Sequence, residues 1–549
     1  MTTMAGLPGF STLEEYRRAH EAYRLTAPEL FNFGDDVVDR WASEEPDAVA
    51  LWWLGPSGGE RRLSFAQLSE RTARLANALE ELGLERGSRV MVHLPSVPEW
   101  WETMVALAKA DLVAIPTTTQ LTGKDVQFRI DAAGVSGVVT DTAGARKIEA
   151  LGDAVASVRV RLCCGDRPPR GWAAYESVIA SAPSEREPLR TGSEEPSLIY
   201  FTSGTTGPPK MVLHTHASYG VGHRITADFW LEHLRPGVVH WNMSDPGWAK
   251  TAYAGYFGPW IRGATTFVVH RPGKFDPTAT LDILQRYPVE SLCAPPTVYR
   301  MLVQEDLDAF RPRALRECRA AGEALNPEVL AKWRDATGIT IREGYGQSET
   351  VFLCGGLPGL PVRPGSMGLP APGIDLAVID DAGRRMPPGE VGEIAIRVEP
   401  ERPVGLFEGY LGAPDATARC YRDGWYCTGD CARVDDDGYV WFEARADDII
   451  TSSAYRIGPF EVESALMEHP AVAEVAVVGK PDPERTEIVK AFVVLAAGYT
   501  PSDGLCAELQ EHVKASTAPY KYPREIEFLD ELPKTVTGKI RRVELRKRA

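Results

Sequence analysis

Two rhythms divide this chain near residue 430, and that division constrains its fold more than any single motif. From about residue 30 to 430, amphipathic stretches alternate with short apolar runs. Arg71 to Leu84 places Leu75, Leu79 and Leu82 at helical spacing, and Val90 to Leu94 is an apolar run. Pro98 to Ala110 then reads as a helix and Leu112 to Pro116 as a further run; similar runs recur at Gly137 to Thr140, Thr265 to Val269 and Leu292 to Pro295. Such βα units predict a mixed or parallel sheet.

After Asp430 the pattern changes. Asp435-Asp436-Asp437-Gly438 is a turn signal, and Ala444 to Asp448 is a polar break. Beyond it stand a helix opened by Pro459 (Phe460 to Glu468), strands at Val472 to Val478 and Val489 to Leu495, and a helix near Gly504 to Lys514. The 549 residues exceed what one core accommodates. The expected fold is α/β and α+β: an extension over 1–30, a large N-terminal domain with mixed sheets over 31–446, and a small α+β domain over 447–549, joined near Asp447.

A net charge of -16 would repel phosphate backbones and anionic lipid, so neither nucleic acid nor membrane is an expected partner. Met1 to Leu25 lacks an apolar core of signal-peptide type, and a cytoplasmic enzyme is the expectation. The nine cysteines, including Cys163-Cys164 and the loose group Cys420, Cys427 and Cys431, do not follow zinc-ligand spacing and are expected to be small apolar residues.

Ser197 to Phe201 reads as a buried strand and runs into Thr202-Ser203-Gly204-Thr205-Thr206-Gly207-Pro208-Pro209-Lys210, after which Met211 to His214 is strand-like again. Two glycines let the backbone approach a bulky anion; four hydroxyls and a lysine add donors. The loop is not a Walker A motif, because Lys210 does not follow the second glycine directly and prolines oppose an immediate helix.

From this loop onward the chain resembles the adenylate-forming superfamily of acyl-CoA synthetases, adenylation domains and luciferases. Gly322-Glu323-Ala324 resembles the adenine-side segment, Glu343-Gly344-Tyr345-Gly346-Gln347-Ser348-Glu349 the adenine and magnesium motif, and Tyr426-Cys427-Thr428-Gly429-Asp430 the ribose motif. Arg445-Ala446-Asp447-Asp448 resembles the hinge, Tyr455-Arg456-Ile457-Gly458-Pro459 the thioester-side motif, and Pro533 to Lys539 the lysine loop. Ser244 to Trp248, Lys274 to Pro277, Tyr299 to Leu302 and Ala518 to Pro523 are similar to segments of medium-chain acyl-CoA synthetases.

The resemblance implies activation of a small-molecule carboxylic acid with ATP and Mg2+, then acyl transfer to coenzyme A. Bringing a carboxylate to the α-phosphate joins two anions, so positive charge must offset their repulsion. By resemblance Lys539 bridges acid and phosphate, Glu349 holds magnesium, and Thr202 to Lys210 hold pyrophosphate. Asp430 accepts from ribose, Tyr345 packs on adenine, and Arg445 contacts the nucleotide. Coenzyme A contacts are implied at Ser453, Ala454, Tyr455, Arg456, Arg485, Lys514 and Tyr522, with Lys521 a further phosphate partner. The family's rotation of the small domain about Asp447 would serve the two steps in turn.

A carboxylate nucleophile needs no base, so His214, His216 and His223 are expected to pack. Trp248, Tyr253 and Tyr256 are candidates to line the acyl pocket. The resemblance departs at Ala444 and Ala454, where glycine is typical; alanine is penalised at positive φ, and either half-reaction would be slowed. An enzyme confined to one half-reaction, transfer to a carrier-protein thiol and a catalytically silent scaffold are the competing readings. The acid and the oligomeric state are not specified.

Overall fold

The computed structural model describes residues 9–165, 167–202, 209–446, 448–452, 455–483, 485–534 and 540–549. Among them, two large sheets organise the N-terminal part. The first runs Leu369–Pro370, Cys354–Gly355, Ile341–Tyr345, Glu317–Ala321, Ser291–Ala294, Val239–Asn242, Thr265–Val269, Val49–Leu54, Glu60–Ser64. Its centre is parallel and its edges antiparallel, as expected for a mixed sheet.

The second runs Gly409–Tyr410, Lys210–Thr215, Pro196–Thr202, Val113–Pro116, Arg89–His93, Gly137–Asp141, Val160–Cys164, Ala173–Ala174. A third, antiparallel sheet joins Leu376–Ile379, Gly392–Arg397 and Trp425–Val434, with Tyr421–Arg422 and Val440–Arg445 also on the last.

Local chemistry sets the boundaries. The first predicted helix starts earlier than the periodicity suggests, at Phe65, because Ser64 and Gln67 form a reciprocal capping box. It ends at Glu81 with Leu75 and Leu79 buried, whereas Leu82 lies beyond it and is exposed. The N-terminal helix Leu13–Ala22 packs on the large domain: the Tyr16 hydroxyl donates to the Pro370 carbonyl at 3.0 Å, and Tyr16 is buried.

The segments that follow Val113–Pro116 in one large sheet and Val239–Asn242 in the other meet closely. The Gly247 N–H donates to Asp245 Oδ1 at 2.8 Å, and the Thr118 hydroxyl donates to Asp245 Oδ2 at 3.0 Å. A Cβ on Gly247 would lie 2.1 Å from the Thr118 nitrogen, so only glycine fits.

The C-terminal part is an α+β unit. Its sheet runs Tyr455–Ile457, Ile450–Ser452, Thr486–Leu495, Val472–Asp482, with Glu525–Phe528 parallel on Thr486–Leu495. Helices Pro459–Met467 and Asp503–Ser516 bury Val462, Leu466, Leu505, Leu509 and Val513 in its own core. Of the predicted polar break, Ala444 and Arg445 instead complete the strand Val440–Arg445. Six of the nine cysteines are buried, in keeping with small apolar residues.

Candidate active site

The phosphate loop joins two paired strands. Pro196–Thr202 and Lys210–Thr215 run antiparallel from Pro196 opposite Thr215 to Thr202 opposite Lys210. Strand rather than helix therefore follows the loop. Ser203, Gly204, Thr205, Thr206 and Gly207 lie outside the described residues, as do Asp447, Ser453, Ala454 and Lys539.

Beside this hairpin stands the 343–349 motif at the end of strand Ile341–Tyr345. Gly346 is required by close approach, since a Cβ there would meet the Val351 carbonyl at 2.6 Å and the Tyr253 hydroxyl at 2.8 Å. Three side chains from elsewhere hold the loop. His214 Nε2 lies 2.7 Å from the Ser348 carbonyl, the Tyr219 hydroxyl donates to that carbonyl at 2.8 Å, and the Tyr253 hydroxyl donates to the Gln347 carbonyl at 2.5 Å. A carbonyl only accepts, so the His214 proton sits on Nε2.

Burial lowers the His214 pKa to about 3, which keeps the ring neutral. His223 stacks on Phe257 at 5.3 Å, and His216 Nε2 lies 3.2 Å from Asp111 Oδ1. The histidines pack, as expected. Tyr256 is fully buried among Phe33, Trp100, Phe257 and Trp260, and it lines a small cavity with Phe33, Leu198 and Phe257.

Glu349 is held beside the hairpin. The Tyr410 hydroxyl donates to Glu349 Oε1 at 2.8 Å, and Lys210 Nζ lies 4.6 Å from the centre of the Tyr410 ring. Burial raises the Glu349 carboxyl above its ordinary range, against the lowering effects of Tyr410, Lys210 and Arg445.

The ribose motif reaches the same place. Asp430 Oδ2 accepts from the Tyr345 hydroxyl at 2.7 Å and from Gln347 Nε2 at 2.8 Å, and Gln347 Nε2 also reaches the Thr428 carbonyl at 2.8 Å. Arg445 stands opposite Asp430 across the ladder. Ala444 pairs with Cys431 in that ladder and is absent from the positive-φ residues, so the backbone penalty expected there does not arise.

Gly322 has φ +99°, and beside it the Thr297 hydroxyl donates to Glu323 Oε2 at 3.0 Å. Glu343 faces this segment: its Oε1 accepts from the Leu325 N–H at 2.9 Å, and burial pushes its pKa up to about 8.

On the small domain, Lys514 Nζ lies 4.3 Å from the Tyr522 ring centre and 2.5 Å from Glu511 Oε1, and Arg524 Nη1 donates to the Tyr522 hydroxyl at 3.0 Å. Lys521 forms an ion pair with Glu461. The Arg485 N–H donates to Asp482 Oδ1 at 2.9 Å. Tyr455 and Arg456 lie in strand Tyr455–Ile457, their side chains outside the described residues. Arg546 of the terminal helix forms an ion pair with Asp448.

A family model described as AMP-binding enzyme matches residues 38–411, and one described as AMP-binding enzyme C-terminal domain matches residues 461–539. The chain belongs to the AMP-binding enzyme family. This AMP-binding enzyme is 46% identical over 541 residues to the human mitochondrial acyl-coenzyme A synthetase ACSM3, covering 97% of this chain and 92% of that protein. It is similar to the crystal structure of an acyl-CoA synthetase from Brucella canis, at 35% identity and TM-score 0.75, covering 97% of this chain and 98% of the other. It is also similar to the anthranilate CoA ligase AuaEII bound to anthranoyl-AMP, at 28% identity and TM-score 0.85, covering 95% and 98%.

The expected activity class stands: the AMP-binding enzyme is an acyl-CoA synthetase, an acid–thiol ligase, similar to the medium-chain branch. The cytoplasmic expectation does not stand, because the relatives at this identity are mitochondrial proteins. A polar N-terminus does not distinguish between those compartments.

Sequence reasoning missed Tyr410 and Tyr219 as site residues, and it gave His214 and Tyr253 other roles, in packing and in the acyl pocket. Each acts through a contact distant in the chain, and no local motif marks it.

Proposed function

We propose that this acyl-CoA synthetase performs both half-reactions on one small-molecule carboxylic acid, using ATP, Mg2+ and coenzyme A. The supporting observation is that Lys210 and Glu349 meet at Tyr410 while Tyr345 and Gln347 meet at Asp430, with Arg445 opposite Asp430 in the strand ladder. In the first step a carboxylate oxygen attacks the α-phosphorus, the bond to the β-phosphate breaks, and pyrophosphate leaves. The loop from Thr202 to Lys210 receives that charge, Asp430 and Tyr345 orient the nucleoside beside Gly322 to Ala324, and Lys539 and Arg445 offset the meeting of two anions.

The donor set fits magnesium. Glu349 offers the hard oxygen donor that this ion takes, and the described residues contain no cluster of three or more ligating side chains, as suits an ion held mainly by substrate phosphates and water. When bound, the ion would neutralise phosphate charge.

In the second step the coenzyme A sulfur attacks the acyl carbon, the bond to AMP breaks, and the thiol proton is lost. We assign this step to Ser453 to Arg456, Arg485, Lys514 and Tyr522 on a small domain hinged at Asp447. The unstrained strand geometry of Ala444 supports retention of both halves. Pyrophosphate exchange and conversion of synthetic acyl adenylate to acyl-CoA, assayed separately over a panel of acids, test this. Activity in one assay alone would leave a single-step enzyme, and silence in both would leave a scaffold.

A further inference from the structure

Tyr410 touches both groups that frame the phosphate hairpin. Its hydroxyl donates to Glu349 Oε1 at 2.8 Å, and its ring centre lies 4.6 Å from Lys210 Nζ. The residue is buried, and Phe407 packs edge-on against it at 5.1 Å.

Its backbone is tied to the same two elements. Tyr410 pairs with Val212 on the strand that begins at Lys210, and the Leu411 N–H donates to the Met211 carbonyl at 2.8 Å. The Phe407 N–H donates to the Glu349 carbonyl at 2.8 Å. Lys210 and Glu349 are far apart in sequence, and this short segment binds the backbone of one and the neighbours of the other.

We infer that Tyr410 is a positioning residue for adenylation, fixing Lys210 and Glu349 relative to each other so that ammonium and carboxylate meet one magnesium-bound ATP. The inference rests on the proposed roles of those two residues. The phenol commits one carboxylate oxygen and so fixes the plane of the group. The ring face attracts the ammonium without consuming its N–H donors, which stay available to phosphate oxygens. A residue that only filled space would need the ring alone.

The test is calorimetric titration of ATP, with and without magnesium, into wild type, Tyr410→Phe, Tyr410→Leu and Glu349→Gln, alongside KM for ATP and kcat. Tyr410→Phe keeps the ring and loses the donor. It is expected to weaken magnesium–ATP binding about tenfold, the scale of one hydrogen bond to a charged group, while metal-free ATP binding and the melting temperature stay close to wild type. Tyr410→Leu is expected to weaken both forms of ATP binding. In a double variant, Tyr410→Phe should cost little once Glu349→Gln is present.

Unchanged binding in Tyr410→Phe, or an equal loss with and without metal, overturns the inference. If Glu349→Gln itself leaves the metal-dependent affinity intact, the underlying assignment of Glu349 fails instead, so the two failures are separable.

Discussion

The Tyr345 hydroxyl donates to Asp430 Oδ2 at 2.7 Å, joining the end of a strand in the first large sheet to a strand in the third. Gln347 reaches the same oxygen at 2.8 Å, so this carboxylate is oriented before any nucleotide arrives. Tyr345→Phe should remove one of the two donors and retain the ring. We expect KM for ATP to rise roughly three- to tenfold, the equivalent of about 1 kcal/mol, with kcat little changed. Initial rates at saturating acid and coenzyme A check this; a fall in kcat at constant KM would contradict it.

Glu343 predicts a pH dependence of stability. Its carboxyl titrates at about 8 in the folded chain against an ordinary 4.5. Between those values the folded state holds a proton that the unfolded state has released, so this group's contribution to stability falls as pH rises through the window, by at most about 1.4 kcal/mol per pH unit. Glu343→Gln keeps an oxygen for the Leu325 N–H and removes the titration. Melting curves should show the variant gaining on wild type from about pH 6 to about pH 8; a constant gap would refute the assignment.

His214 should matter for stability rather than for proton transfer. His214→Ala leaves the Ser348 carbonyl with one fewer donor in a buried site and opens a void, a loss of roughly 2–4 kcal/mol. Tyr219→Phe, which removes only a hydroxyl from the same carbonyl, should cost about 1 kcal/mol. Denaturant titrations measure both, and the pH profile of kcat should not shift in either variant.

Legibility of the site from sequence follows its chemistry. The phosphate loop is readable because glycine, hydroxyl and lysine side chains crowd one short stretch, and the strands on both sides announce themselves by apolar runs. The pairing of Asp430 with Tyr345 and Gln347 is not readable, since each belongs to a motif with its own reason to exist. Tyr410 and His214 carry no periodic or compositional mark; only the sheet brings them to Glu349 and Ser348. Leu82 shows the opposite error, a residue in step with a helix that has already ended. Ala444 shows another: the expected penalty presumes a backbone conformation that the ladder with Cys431 does not use.

The pair between Arg546 and Asp448 links the terminal helix to the residue beside the proposed hinge. Both residues belong to the small domain, so Arg546→Ala should release the terminal helix from the segment beside the hinge without touching the large domain. An ion pair of this exposure contributes up to about 1 kcal/mol, so denaturant titration of the variant should show a loss of that size. An unchanged stability would argue against the pair as a tie between helix and hinge segment.

The contact at Gly247 also limits where motion can occur. With Asp245 gripping both Gly247 and Thr118, and no room for even a methyl group between them, the segments that follow Val113–Pro116 and Val239–Asn242 are pinned to each other. A bulkier residue at 247 would act as a wedge, driving those two segments apart at their backbones rather than merely crowding a side chain.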